Sequence, residues 1–177
     1  MSGFSLDALA DLARHMEWAD ATVWRSVLTH DGARTDQRLR DLLVHLHLVQ
    51  RLFLMVWRYE PILPLQSFSK FDALIDLQQR AAAYYPDLRL FLASLDDTAL
   101  TRPIRMPFVA EQEKKLGTTF PSPTLAETIL QVTSHSTYHR GQLNTRVREI
   151  GGEPPLVDYI AWVVFGRPAA AWVQARS

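Results

Sequence analysis

Residues 124–152, TLAETILQVTSHSTYHRGQLNTRVREIGG, decide the fold. Thr124 and Glu127 form a capping box, in which a hydroxyl and a carboxylate satisfy the first free amides of a helix. Leu125, Ile129, Val132, Leu143 and Ile150 then recur at helical spacing. Gly151-Gly152 closes the run, since glycine readily takes the left-handed conformation that ends helices. Within this helix His135 and His139 stand at i and i+4, on one face and roughly 6 Å apart along the axis. Histidine is the commonest metal ligand near neutral pH, and such a pair needs one more donor to hold a divalent ion.

Outward from this stretch the chain is helical nearly everywhere. A first helix is predicted from Ser5 to Thr29, closed by His30-Asp31-Gly32, and a second from Asp36 to Glu60, stopped by Pro61 and Pro64. A third starts after Ser69, with Ser69 and Asp72 as a capping box that uses aspartate in place of glutamate, and runs towards Leu95. Pro86 is expected to kink or split it. Residues 98–122 break the pattern with Pro103, Pro107, Gly117 and Pro121, and Ile104–Met106 and Thr118–Phe120 are candidate short strands. Long irregular segments of this kind often cover binding sites. Asp158 is placed to cap a short helix through Phe165, and Pro168 to Ser177 is expected to form another. Four long helices with strong apolar faces imply an all-α bundle, and without an internal repeat or low-complexity linker residues 1–177 are read as a single domain.

Composition narrows the chemistry. The chain has 177 residues, 47% of them hydrophobic, which is enough for one substantial core. Nineteen basic residues balance nineteen acidic ones, so no overall charge draws the protein to nucleic acid or an anionic membrane. With no cysteine, disulfides, thiolate ligands and a cysteine nucleophile are all excluded, leaving histidine and carboxylate to bind any metal. No signal peptide is visible and no uncharged stretch nears the ~18 residues of a membrane span, so a cytoplasmic protein is expected.

Candidates for the third donor are His45 and His47 in LLVHLHLVQRLFLMVW on the second helix. Two residues apart, they point about 200° from each other and cannot share an ion. His45 falls on the side of Leu42, Val49, Leu52 and Val56, which assigns it to the interior. His47 shares its side with Arg40, Arg51 and Arg58, which assigns it to solvent. His45, His135 and His139 are therefore the expected site. His15, before Met16-Glu17-Trp18, reads as packing or surface, His30 as a helix-end residue, and the three arginines as a solvated stripe or part of an interface.

The segment His135-Ser-Thr-Tyr-His139-Arg-Gly-Gln142, followed by Leu143, Arg148, Gly151, Glu153-Pro154-Pro155 and Asp158-Tyr159, resembles the C-terminal signature of the DinB/YfiT-like family. Glu17-Trp18-Ala19-Asp20 is similar to its Trp-Ala-Asn segment in the first helix, and Leu42-Leu43-Val44-His45-Leu46 to its first-ligand segment. The resemblance implies an up-down-down-up four-helix bundle, frequent homodimers, and a three-histidine site for a divalent metal, often zinc or nickel. Its first ligand maps to His45. Two positions depart from the pattern: Gln50 stands where the family often has an acidic residue, and Asp20 where it has asparagine. Gln50 is expected to alter hydrogen bonding behind the ligands, and so metal affinity, without removing a ligand.

Three imidazoles leave a fourth position open, as in catalytic zinc sites. A metal there acidifies bound water to a pKa near ~7 or takes a thiol as thiolate. Relatives in the family include mycothiol-dependent maleylpyruvate isomerase and bacillithiol transferases, in which a low-molecular-weight thiol supplies the sulfur. The leading expectation is thus a metal-dependent S-transferase acting on a small-molecule substrate with a small thiol as cosubstrate. Metal-dependent hydrolysis and non-catalytic metal or ligand binding are the alternatives. Gln142 is a candidate substrate-binding group or a helix–helix hydrogen-bond partner, and Tyr138 a candidate for packing. Glu17, Glu127 and Glu149 offer carboxylates that the sequence does not place at the metal.

Overall fold

The computed structural model describes residues 3–62, 70–71 and 73–174. Among these the chain forms α-helices and no β-strand: α1 Leu6–Thr29, α2 Gln37–Trp57, α3 Leu74–Ala93, α4 Val109–Leu116, α5 Leu125–Glu149 and α6 Tyr159–Val164. The caps follow from local chemistry. Ser5 accepts the Ala8 amide, Asp36 accepts the Leu39 amide, and Thr124 and Glu127 exchange the two bonds of the expected capping box. The first turn of α3 is held by Asp76, whose carboxylate accepts the Ala73 amide at 2.9 Å. The Ser69 and Asp72 of the expected box lie outside the described residues.

Both α3 and α5 pack against α1 and α2. Their apolar faces form two clusters, one with Leu9, Met16, Trp57, Leu88 and Ile129, the other with Val27, Leu39, Leu43, Leu77 and Leu143. Along α1, α2 and α5, a set of buried polar residues falls between the two. No helix among the described residues is long and apolar enough to cross a membrane.

Three expectations are corrected. Of the kink or split expected at Pro86, the split is absent: α3 runs unbroken through it. Leu77, Ala81, Tyr85, Leu88 and Leu92 are buried along that helix, and their packing offsets the one backbone hydrogen bond that proline forfeits. Residues 104–106 and 118–120 are not strands; the segment makes a single bridge, Pro103 to Thr124, with no sheet to extend it. Part of it, 109–116, is the helix α4, which ends at left-handed Gly117. The tail from Pro168 to Gln174 is not helical, and residues 175–177 are outside the described set. Its groups bond elsewhere: the Trp162 indole donates to the Pro168 carbonyl at 3.0 Å, Arg25 donates to the Ala171 carbonyl at 3.2 Å, and Trp172 packs on Tyr85.

Candidate metal centre

Helix α2 delivers His45, and one face of α5 delivers His135 and His139. The Nε2 atom of His135 lies 3.3 Å from that of His45 and 3.0 Å from that of His139. One ligand atom from each ring falls within 4.8 Å of the other two, and His45 stands at the exposed edge of the cluster. Burial and the two adjacent imidazoles push His135 down to about 4, and burial followed by His139 lowers His45, so both are neutral near pH 7 with lone pairs to offer.

The rings are aimed by what stands behind them. The carbonyl oxygen of Gln142 lies 2.7 Å from His139 Nδ1 and can only accept, so Nδ1 carries the proton and the Nε2 lone pair points into the cluster. Gln142 thus touches a ring of the cluster. His135 Nδ1 is buried and has no hydrogen-bond partner among the described residues, so no bond from behind orients that ring. Tyr138 is mostly exposed, with its ring set edge-on to His139.

The burial predicted for the two histidines of α2 is reversed. His47 is 2% exposed, whereas His45 is exposed. α2 is apolar around most of its circumference, and the arc that packs inward is Leu39, Leu43, Leu46 and Leu54 rather than Leu42, Val49, Leu52 and Val56. His45 reaches the cluster from the flank of that arc. Two stripe arginines bond acids, Arg51 to Asp87 at 2.6 Å and Arg58 to Glu60 at 2.9 Å, while Arg40 lies over the Phe71 ring.

His47 belongs to a second polar assembly that sequence reasoning missed. The Trp24 indole donates to His47 Nε2 at 2.8 Å, so His47 Nδ1 carries the proton and donates to Gln50 Oε1 at 2.9 Å. Gln50 Nε2 donates to Asp20 Oδ2 at 2.8 Å and to Ser136 Oγ at 3.0 Å. Tyr85 donates its hydroxyl to the same Asp20 oxygen, and Arg140 donates to Asp20 Oδ1 at 2.7 Å. Asp20 and Arg140 are both fully buried. Among the described residues none of the Gln50 hydrogen bonds reaches a ring of the three-histidine cluster; they run to His47, Asp20 and Ser136. The Asp20 and Gln50 departures from the family pattern were the available signal, since the two meet.

The remaining candidates lie elsewhere. His15 is buried and bonds the Val157 carbonyl, and His30 caps α1 and bonds the Ile150 carbonyl. Glu17 pairs with Arg89, Glu127 caps α5, and Glu149 pairs with Arg146.

The three histidines fit a divalent ion. Two nitrogens, each ~2.0–2.1 Å from one tetrahedral ion, lie about 3.4 Å apart. The 3.0 and 3.3 Å separations match that spacing to within a few tenths of an ångström. Without an ion, three aromatic nitrogens converge with too few protons to pair them. Comparisons with curated proteins and with solved structures gave no significant match. A model of the DinB family matches residues 7–164, nearly the whole chain and all three histidines. The chain belongs to the DinB family.

Proposed function

We propose that this protein is a single-domain, up-down-down-up four-helix bundle that binds zinc or nickel through His45, His135 and His139 and catalyses transfer of a small thiol to an electrophile. The packing of both α3 and α5 on α1 and α2 supports the bundle. The observation that carries the metal reading is the convergence of three imidazole nitrogens with one edge open at His45. A divalent ion held there supplies Lewis acidity and lowers the pKa of a thiol that reaches it. The chain's part is to hold three lone pairs in place: Gln142 fixes the His139 tautomer, and the exposed His45 edge leaves an approach for substrate. Glu17, Glu127 and Glu149 are engaged away from the cluster, which favours thiol over water as the nucleophile. A thiol, with its pKa near ~8.5, needs little help from a general base.

Elemental analysis of wild type, His45→Ala, His139→Ala and His47→Ala tests the site. Metal is expected to be lost in the first two variants and retained in the third. Loss from His47→Ala without unfolding would reject the assignment. The metal-loaded protein, mixed with low-molecular-weight thiols and electrophiles, is expected to consume both together. Metal-dependent turnover without thiol would indicate a hydrolase instead, and bound metal with no turnover a binding protein.

Gln142→Leu keeps the three ligands but frees the His139 ring. Metal affinity, measured by chelator competition, is expected to fall roughly 10–100-fold. Unchanged affinity would mean that packing alone sets the ring.

A further inference from the structure

On the opposite side of α5 from the histidine pair, a cavity of about 380 Å³ opens between α1 and α5 beneath residues 157–159. Leu12, Met16 and Leu130 give it an apolar wall. Apart from the Ser134 hydroxyl and that of Tyr159, which donates to Asp11, its polar groups offer mainly acceptors. His15 is buried, and its Nε2 faces the Val157 carbonyl at 2.9 Å, so Nε2 carries the proton and Nδ1 is bare. Burial, the largest influence on this ring, disfavours its charged form. Among the described residues no donor reaches His15 Nδ1.

Asn144 donates its amide to the Pro155 carbonyl at 3.3 Å, and its Oδ1 is buried and without a partner among the described residues. The Asp158 carboxylate, at the start of α6, lines the cavity and caps nothing. Thr133 and Thr137 donate their hydroxyl protons to carbonyls of their own helix and offer only lone pairs to the cavity. The one cation in the wall, Arg140, is neutralised by Asp20 and donates its other arm to Thr137.

We infer that this cavity binds a small organic ammonium, its apolar body against Leu12, Met16 and Leu130 and its N–H groups on His15 Nδ1, Asn144 Oδ1 and the Asp158 carboxylate. An anion would meet a free carboxylate and no free donor of comparable charge. A wholly apolar ligand would leave the buried acceptors unsatisfied. The site is separate from the histidine cluster and does not depend on the thiol-transfer reading.

Phenethylammonium is a suitable probe, with neutral 2-phenylethanol and anionic 3-phenylpropionate as controls, each titrated into isotopically labelled full-length protein and followed by NMR. The amine is expected to bind and to shift amides around His15, Asn144 and Asp158. Asp158→Asn is expected to weaken it at least about tenfold, in line with loss of a charge-assisted bond. Gly141 lines the cavity, and a Cβ there meets nothing within 4 Å, so Gly141→Phe should fill the space on an intact helix and abolish binding. His45→Ala should bind the amine as wild type does. No amine binding, equal binding of the alcohol, shifts confined to His135 and His139, or undiminished binding in Gly141→Phe would each overturn the assignment.

Discussion

Replacing His135 with alanine is expected to remove bound metal while leaving the metal-free protein as stable as wild type. His135 is the hub of the cluster, since both short nitrogen–nitrogen approaches run through its Nε2. Its loss leaves two ligands on different helices, and affinity should fall by more than the roughly 100-fold upper range for losing a mere supporting hydrogen bond. In the metal-free protein the same ring contributes little: Nδ1 has no partner among the described residues, and burial holds the ring neutral. Its removal should move unfolding free energy by no more than about 1 kcal/mol. Added zinc at about a hundred times its dissociation constant should stabilise wild type by about 2.7 kcal/mol and the variant not at all. A large drop in metal-free stability would show that His135 is a core residue rather than a ligand.

The second large effect concerns Asp20. Asp20→Asn removes the carboxylate that neutralises the buried Arg140 and is expected to destabilise the protein by about 3–5 kcal/mol in urea denaturation. Gln50→Glu alone sets a second carboxylate against Asp20, where Gln50 Nε2 now donates at 2.8 Å, and is also expected to destabilise. The double variant, Asp20→Asn with Gln50→Glu, restores one carboxylate and one amide to the same pair, with the roles exchanged. The amide introduced on α1 can then donate to the carboxylate introduced on α2, while His47 and Ser136 keep oxygens to bond. The double variant should be more stable than either single variant, with a coupling of about 1–3 kcal/mol. Additive losses would sink this reading. If it holds, the two departures from the family pattern are one change: the carboxylate has moved from α2 to α1.

The helices were legible because their signals are local. The Thr124–Glu127 pair caps where sequence placed it, Ser5 and Asp36 stand where the first two helices were expected to begin, and the His135/His139 face is fixed by spacing along one helix. Burial on α2 was not legible. Leu42 and Leu43 point to different sides and are equally apolar, so only the partners of α2 decide which arc turns inward. The partners of His47 are Trp24 and Gln50, and the first of these comes from another helix. The non-helical tail was misread for the same reason, since its partners Arg25 and Tyr85 lie far along the chain; α4 buries no residue and was missed although its bonds, from Arg105 and the Phe120 amide to Glu113, are local.

The polar assembly around Asp20 draws one residue or more from each of the four long helices, whereas the histidine cluster draws on two. Sliding α5 by a single turn would displace it about 5.4 Å. That exceeds the 4.8 Å within which all three ligand atoms lie. Such a slip would also separate Arg140 from Asp20 and Ser136 from Gln50, stranding a buried charge. The Asp20–Arg140 pair therefore acts as an indexing pin: it fixes the axial setting of the helix that carries His135 and His139, and so sets where they stand opposite His45.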